Sequence, residues 1–170
     1  MRTLEWSTSH AVFVTEMDDE HKQIFQALGA LEEALSGRTP VSEAGQLSQI
    51  LLRRIDDHFA HEERLMRAAR YYSYPWHKRK HDNARKLVGQ YVSRIGRGEF
   101  EVGGELIGYL RAWLDEHTRL PDTMLGAFLR NHSRGICKIT FRAGTKPLDA
   151  CAWVDSNGER LDPAESEPGY

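Results

Sequence analysis

Four segments of the chain carry apolar residues at intervals of three and four positions, the spacing of one face of an α-helix. They span about 19–35, 42–69, 76–95 and 103–131, and glycine or proline separates each from the next. Period-two alternation, which would predict β-strands, is absent before residue 135. The pattern predicts an all-α fold: an up-down four-helix bundle that follows an N-terminal extended arm over 1–15, with Asp18 as the first N-cap.

The histidines of the chain are unevenly placed. Of the eight, five fall on the inward positions of the predicted helices, and every helix contributes at least one: His21, His58, His77, His81 and His117. The other three fall off the apolar repeats and are predicted to be surface residues: His10, His61 and His132. A bundle core built only for packing would carry leucine or valine at most of the five inward positions.

Glu62 is the inward residue that most needs a partner. A buried, unpaired carboxylate is costly, so such a group neutralises, pairs or binds a metal ion. The inward positions of the second, third and fourth helices offer no Lys or Arg, and neutral imidazoles do not balance the charge. A buried cation would accept both imidazole nitrogen and carboxylate oxygen. Core histidines satisfied by ordinary hydrogen bonds remain the alternative.

Asp122 is a second candidate carboxylate, and it depends on a break in the fourth helix. It follows His117 by five residues, so in an ideal helix the two would not share a face. Pro121 lacks the amide that would bond to the carbonyl of His117, which predicts a bend or break there. Such a break would turn Asp122 back towards the inward histidines.

The spacing of the remaining candidates favours a shared metal site. His58 and Glu62 are four residues apart, as are His77 and His81, so each pair lies on one helix face. Five histidines and two carboxylates exceed the four ligands of a structural zinc site. Two metal ions are needed to use them all.

Composition and charge exclude several other classes of protein. The 170 residues carry 23 Lys and Arg against 25 Asp and Glu, and this net charge of −2 argues against a nucleic-acid partner. No apolar run approaches the roughly 18 residues of a membrane-spanning helix. The first ten residues do not resemble a secretory signal, so we expect a cytoplasmic protein.

The C-terminal part of the chain differs in pattern from the rest. The sequence predicts one bundle domain over 1–132 and an extension over 133–170, with a β-hairpin at about 136–154 and a disordered acidic tail at 155–170. Cys137 and Cys151 would face each other across a turn near Gly144. They form a possible thiol pair, with two buried thiols in a packed hairpin as the alternative.

The inward residues and their neighbours resemble those of the hemerythrins, in particular the bacterial hemerythrin-like proteins. The resemblance covers about 4–131. Its motifs in this sequence are Trp6, Met17-Asp18-Asp19-Glu20-His21-Lys22, Ile24-Phe25, His58-Phe59, Glu62-Glu63, Met66, His77 with His81, Trp113-Leu114 with His117, and Asp122.

The resemblance implies a non-haem di-iron centre inside the bundle. One iron would take His77, His81 and His117, and the other would take His21 and His58. Glu62, Asp122 and a solvent-derived oxo or hydroxo group would bridge the two ions. The iron with two histidines would keep one position open for dioxygen.

The resemblance also implies an apolar wall around the oxygen pocket that keeps out water and anions. Its members by motif are Ile24, Phe25, Phe59, Trp113, Leu114 and Thr118. Four positions depart from the family pattern. Glu20 stands where glutamine is usual, Thr118 replaces an aliphatic residue, and Pro121 directly before Asp122 is unusual. The proline that typically follows the tyrosine of the loop before the third helix has moved to Pro75, close to His77. The Thr118 hydroxyl could admit water to the site.

The function implied is reversible dioxygen binding for storage, delivery or scavenging, by a protein that is not an enzyme. Nitric oxide and small anions are further candidate ligands. One alternative is a sensor of oxygen, nitric oxide or redox state that signals through the C-terminal extension. Another is a di-iron oxidase or peroxidase. The many histidines and few carboxylates favour reversible binding, since oxidation sites of ferritin-like bundles draw a Glu from each helix.

Overall fold

A computed structural model of the chain describes residues 5–38, 41–136, 153–154 and 160–161. The described residues contain the α-helices α1 (Thr15–Glu33), α2 (Val41–Ala68), α3 (Tyr74–Gly96), α4 (Gly103–His117) and α5 (Thr123–Ile136). A π-helical turn, Thr118–Asp122, joins α4 to α5, and another, Ala34–Arg38, follows α1. Among the described helices, none is long and apolar enough to cross a membrane.

The helices α1 to α4 form the predicted four-helix bundle. Contacts run from α1 to α2 and from α2 to α3, and α4 packs against both α1 and α3. Short connections make successive helices antiparallel. The apolar stripes meet in one core cluster whose fully buried members include Leu28, Leu51, Ile55, Leu106 and Leu110.

The start of α1 differs from the prediction. The helix begins at Thr15 with Val14 as N-cap, so Asp18 lies inside the first turn and is not the cap. The Asp18 carboxylate instead accepts hydrogen bonds from the backbone N–H groups of Val12 (2.8 Å) and Phe13 (3.0 Å). These bonds support the left-handed backbone of Phe13, whose φ is 59°.

The segment before α1 is packed against the bundle and is not a simple extended arm. It contains a 3-10 turn, Thr8–His10, and His10 is buried, which corrects its prediction as a surface residue. The His10 ring lies 4.8 Å from the ring of Phe25. Further along, Arg130 donates a hydrogen bond to the carbonyl of Val12. Gly126 permits this approach, because a Cβ there would lie 2.5 Å from the Val12 oxygen.

The predicted C-terminal hairpin over 136–154 is not confirmed. Ile136 ends α5 and does not begin a strand, and residues 137–152, with Cys137 and Cys151, lie outside the described residues. Two short strands are described, β1 (Trp153–Val154) and β2 (Arg160–Leu161), and they pair antiparallel. The strand β1 falls at the end of the range predicted for the hairpin, but its partner β2 falls within the tail predicted to be disordered.

Candidate metal centre

Seven buried side chains from all parts of the bundle converge at one end of its core. The helix α1 contributes His21, α2 contributes His58 and Glu62, α3 contributes His77 and His81, α4 contributes His117, and the π-helical turn contributes Asp122. Each of the seven residues is at most 3% exposed. The structure therefore brings together all the residues that the sequence suggested as ligands.

The first group of histidines surrounds the end of α4. The Nε2 atom of His117 lies 3.0 Å from Nε2 of His77 and 3.1 Å from Nε2 of His81. All three rings thus point the same nitrogen at a common centre. Glu62 and Asp122 each place a carboxylate oxygen within 4.8 Å of these nitrogens.

The second group consists of His21 and His58, whose Nε2 atoms are 3.1 Å apart. Each carboxylate belongs to both groups. Asp122 directs Oδ1 towards His77, at 3.0 Å, and Oδ2 towards His21, at 3.3 Å. Oε2 of Glu62 lies 3.2 Å from Nε2 of His81 and 3.7 Å from Nε2 of His58. The two carboxylates therefore stand between a group of three histidines and a group of two.

The donor set fits metal ions better than it fits hydrogen bonding. Neither oxygen of Glu62 or Asp122 accepts a well-directed hydrogen bond from a described residue. Two nitrogen ligands at right angles on one ion, each about 2.1 Å from it, would be about 3.0 Å apart. The Nε2 atoms in both groups have this spacing. Imidazole and carboxylate together suit iron and similar transition metals.

Burial opposes charge on most of the cluster when no metal is bound. Burial lowers the pKa of His58 to about 4 and also lowers the pKa values of His81 and His117. Burial, reinforced by the charge of Asp122, raises the pKa of Glu62 well above its usual value. Asp122 differs: burial raises its pKa, but His117 and the other neighbouring histidines outweigh burial and lower it. A cation would relieve the repulsion between the carboxylates.

Residues 12–129 match the hemerythrin HHE cation binding domain. The chain belongs to the hemerythrin family. It is 32% identical to the bacteriohemerythrin of Pseudomonas paraeruginosa over 125 residues, which cover 72% of this chain and 78% of that protein. It is 40% identical to the bacteriohemerythrin of Aquifex aeolicus over 111 residues (63% and 82%) and 35% identical to the myohemerythrin of Sipunculus nudus over 117 residues (69% and 86%).

The fold agrees with this membership. The crystal structure of a wild-type hemerythrin superimposes with a TM-score of 0.70 at 26% identity, and the match covers 75% of this chain and 98% of that one. The family match ends at residue 129, near the end of α5.

The π-helical turn brings Asp122 to the centre of this hemerythrin bundle, as Pro121 predicted. One extra residue per turn realigns the positions of His117 and Asp122, which come within 3.1 Å. Side chains satisfy carbonyls around the turn: Thr118 donates to the carbonyl of Leu114 (2.8 Å) and Thr123 to that of Thr118 (2.9 Å). The Thr118 hydroxyl proton is therefore engaged by the backbone.

Two aromatic residues of the predicted wall stack directly on the histidine group of three. The Phe59 ring lies parallel to the His81 ring with centroids 4.0 Å apart, and the Trp113 ring lies 4.0 Å from the His117 ring at 17°. The other predicted wall residues, Ile24, Phe25, Leu114 and Thr118, are buried. That they line an oxygen pocket stays a prediction.

The sequence analysis missed two glutamates that contact the Nδ1 atoms of candidate ligands, on the side of each ring that faces away from the cluster. Glu20 lies 2.9 Å from Nδ1 of His58, and its other oxygen lies 2.7 Å from Nδ1 of His61. Glu63 lies 3.3 Å from Nδ1 of His81. Burial raises the pKa of Glu20, but hydrogen bonds from His58 and His61 lower it to about 2. The available signal was that both glutamates directly neighbour a candidate ligand in the sequence.

Proposed function

We propose that this chain binds dioxygen reversibly at a non-haem di-iron centre formed by the seven buried residues. The hemerythrin family is known for this activity. The observation that carries the proposal is the unequal division of the cluster into three and two histidines with both carboxylates between them. Two ions would share the carboxylates, and the ion held by fewer histidines would keep a position for an external ligand.

The residues of the proposed centre divide into two sets and a bridge. His77, His81 and His117 would hold one iron, and His21 and His58 the other. The bridging ligands would be Glu62 and Asp122, together with a solvent-derived oxo or hydroxo group. The iron pair, when bound, supplies the electrons that make oxygen binding reversible.

The surrounding residues keep water away from this centre. Phe59 is fully buried and covers one face of His81, while Trp113 covers one face of His117. The Phe59 and Trp113 rings are themselves 5.3 Å apart, so they form a continuous aromatic surface beside the group of three. An apolar surface of this kind excludes water and anions that would promote irreversible oxidation of iron.

Several finer parts of the proposal rest on the sequence. They are the division into domains 1–132 and 133–170, the cytoplasmic location, and nitric oxide or small anions as additional ligands. A role for Cys137 and Cys151 in a redox-sensing alternative belongs with them. Counting free thiols under denaturing, non-reducing conditions would show whether the two cysteines form a disulfide.

The test is an absorption spectrum taken through one anaerobic reduction and one return to air. We expect iron-loaded protein to bleach on reduction, to gain a visible charge-transfer band with oxygen, and to lose that band when oxygen is removed. H21L should abolish the reversible band, because it removes one of only two histidines from the second group. H132Q is the matched control, since His132 stacks on Phe128 away from the cluster.

The outcome also separates the alternatives. Iron that returns directly to the ferric state, with no reversible band, would contradict oxygen carriage and favour an oxidase or a redox sensor. An H21L variant with an unchanged reversible band would show that the second histidine group is not where oxygen binds.

A further inference from the structure

We propose that Glu20 is a positioning residue for His58, and that His61 holds Glu20 in place from the protein surface. The proposal rests on the proposed function, because it assigns His58 to the second iron. It concerns the ion with fewer histidines, where the orientation of each remaining ligand matters most. Neither Glu20 nor His61 belongs to the seven-residue cluster.

The geometry forms a continuous chain from the surface to the centre. The His58 ring points Nε2 at His21 and turns Nδ1 outward to Oε2 of Glu20, at 2.9 Å. The other carboxylate oxygen, Oε1, lies 2.7 Å from Nδ1 of His61. The side chain of His58 is 3% exposed, that of His61 16% and that of Glu20 30%. Both oxygens of Glu20 are thus engaged by rings on α2, although Glu20 itself lies on α1.

This arrangement fixes which nitrogen of His58 is free to bind a metal ion. A carboxylate accepts a hydrogen bond and cannot donate one, so the proton of neutral His58 is held on Nδ1. Nε2 then presents its lone pair to the centre. A carboxylate partner also makes the imidazole a stronger donor, and loss of such a partner typically weakens metal binding by about 10–100-fold.

A carboxylate also contacts the outward-facing Nδ1 of a histidine in the group of three, but there the carboxylate is paired with an arginine. Glu63 lies 3.3 Å from Nδ1 of His81, and Arg85 donates to the same oxygen of Glu63 at 2.7 Å. Arg85 balances the charge of Glu63, whereas Glu20 has histidine partners on both oxygens. The carboxylate charge beside His58 is therefore the less compensated of the two, which predicts the stronger effect on its histidine.

A simpler role for Glu20 would be to tie α1 to α2 without influencing the centre. The two roles differ in what they stabilise. A tie between helices would contribute to the stability of the iron-free protein. A positioning residue would contribute mainly to the affinity of one iron and to the proton position on His58.

The experiment compares E20L, which removes the acceptor beside His58, with D19L, which makes the same kind of change at the neighbouring residue of α1. Asp19 is exposed and pairs only with Lys22 among its described partners, so D19L is a matched control. Competition with a chelator measures the affinity of each iron. We expect E20L to weaken the binding of one of the two ions by about 10–100-fold and to leave that of the other within about threefold. D19L should change neither.

A second readout does not require iron. In the iron-free protein, ¹⁵N NMR of the histidine rings should show His58 protonated on Nδ1, and E20L should alter that signal while D19L does not. H61L should weaken the binding of the same ion as E20L by a smaller factor, because Glu20 keeps its bond to His58.

The outcomes distinguish this proposal from the proposed function. Iron affinities and a His58 signal that are both unchanged in E20L would overturn the positioning role, even if the parent protein binds oxygen. A loss of unfolding stability in iron-free E20L with unchanged iron affinities would assign Glu20 to the helix tie. A parent protein without reversible oxygen binding would contradict the proposed function and leave the His58 signal as an independent test of Glu20.

Discussion

At both ends of the bundle core the inward residues recur every three or four positions, but they are apolar at one end and polar at the other. Towards the start of α4, inward positions hold apolar residues such as Leu106. This residue is fully buried in a core cluster that includes apolar residues of α1 and α3. Eleven positions later on the same helix, the inward residue is His117. The apolar end is complete without a ligand, whereas the polar end leaves the oxygens of Glu62 without a hydrogen bond from a described residue.

This difference separates residues that stabilise the fold from residues that await a ligand. Burial of apolar area stabilises the apolar end whether or not metal is present. The polar end buries charge and polar atoms at a cost, and a bound cation would offset that cost. Changes at the two ends should therefore respond differently to iron.

The largest effect should come from the apolar end. We expect L106A to lower the free energy of unfolding by about 2–5 kcal/mol, because it removes buried methyl groups and leaves a cavity. The loss should be the same with and without iron, since Leu106 contacts the core and not the cluster. Urea titrations of both forms measure it. A loss that appears only without iron would contradict the separation of the two ends.

The next effect concerns acid and the polar end. In the iron-free protein, the pKa of His58 is about 4, below the 6.5 of an unfolded histidine. As the pH falls below 6.5, the unfolded chain takes up a proton that folded His58 resists. Stability should therefore fall between pH 6.5 and 4, by about 3 kcal/mol from this residue alone.

Other groups in the cluster modify this acid response. His81 and His117 have lowered pKa values and act in the same direction as His58. The raised pKa of Glu62 increases stability as the pH falls, but this single group opposes the three histidines. Urea titrations of iron-free protein at several pH values measure the sum. Constant stability from pH 7 to 4 would contradict the buried, neutral state of the three histidines.

The smallest effect should be a gain. The raised pKa of Glu62 means that the folded state favours its protonated form, so its penalty is absent below pH 4.5 and grows as the pH rises. We expect E62Q to stabilise the iron-free protein at pH 7 by about 1–3 kcal/mol. The gain should vanish near pH 4.5, and the variant should bind less iron.

The same variant offers a sharp comparison with L106A. One substitution at the polar end should raise stability while it removes function, and one at the apolar end should lower stability while it leaves iron binding in place. A destabilised, iron-free E62Q at pH 7 would show that Glu62 is satisfied within the fold and has no need of a cation.

The sequence predicted the bundle and the seven clustered residues because both depend on helical spacing. Inward positions repeat every three or four residues, so His77 and His81 had to face the core once α3 formed. The inclusion of Asp122 in the cluster could be predicted only because Pro121 lacks a backbone N–H. That feature indicated a break in the helix but not a π-helical turn. The metal-ligand role of these residues is still a proposal.

The residues that the sequence did not reveal act across helices or outside the repeats. Glu20 is off the inward stripe of α1, and its contacts with His58 and His61 depend on how α1 and α2 are placed side by side. His10 is buried by a segment without helical periodicity, so no pattern marked it. Alternation after Gly135 predicted a strand from Ile136, whereas α5 continues through that residue.

The most direct test of the central claim is the number of iron ions bound by the seven clustered residues. Metal analysis of the desalted, iron-loaded protein should give about two irons per chain, and E62Q should give clearly fewer. One iron per chain would contradict the division into two histidine groups that share carboxylates. No bound iron in protein prepared with ample iron would contradict the di-iron centre itself.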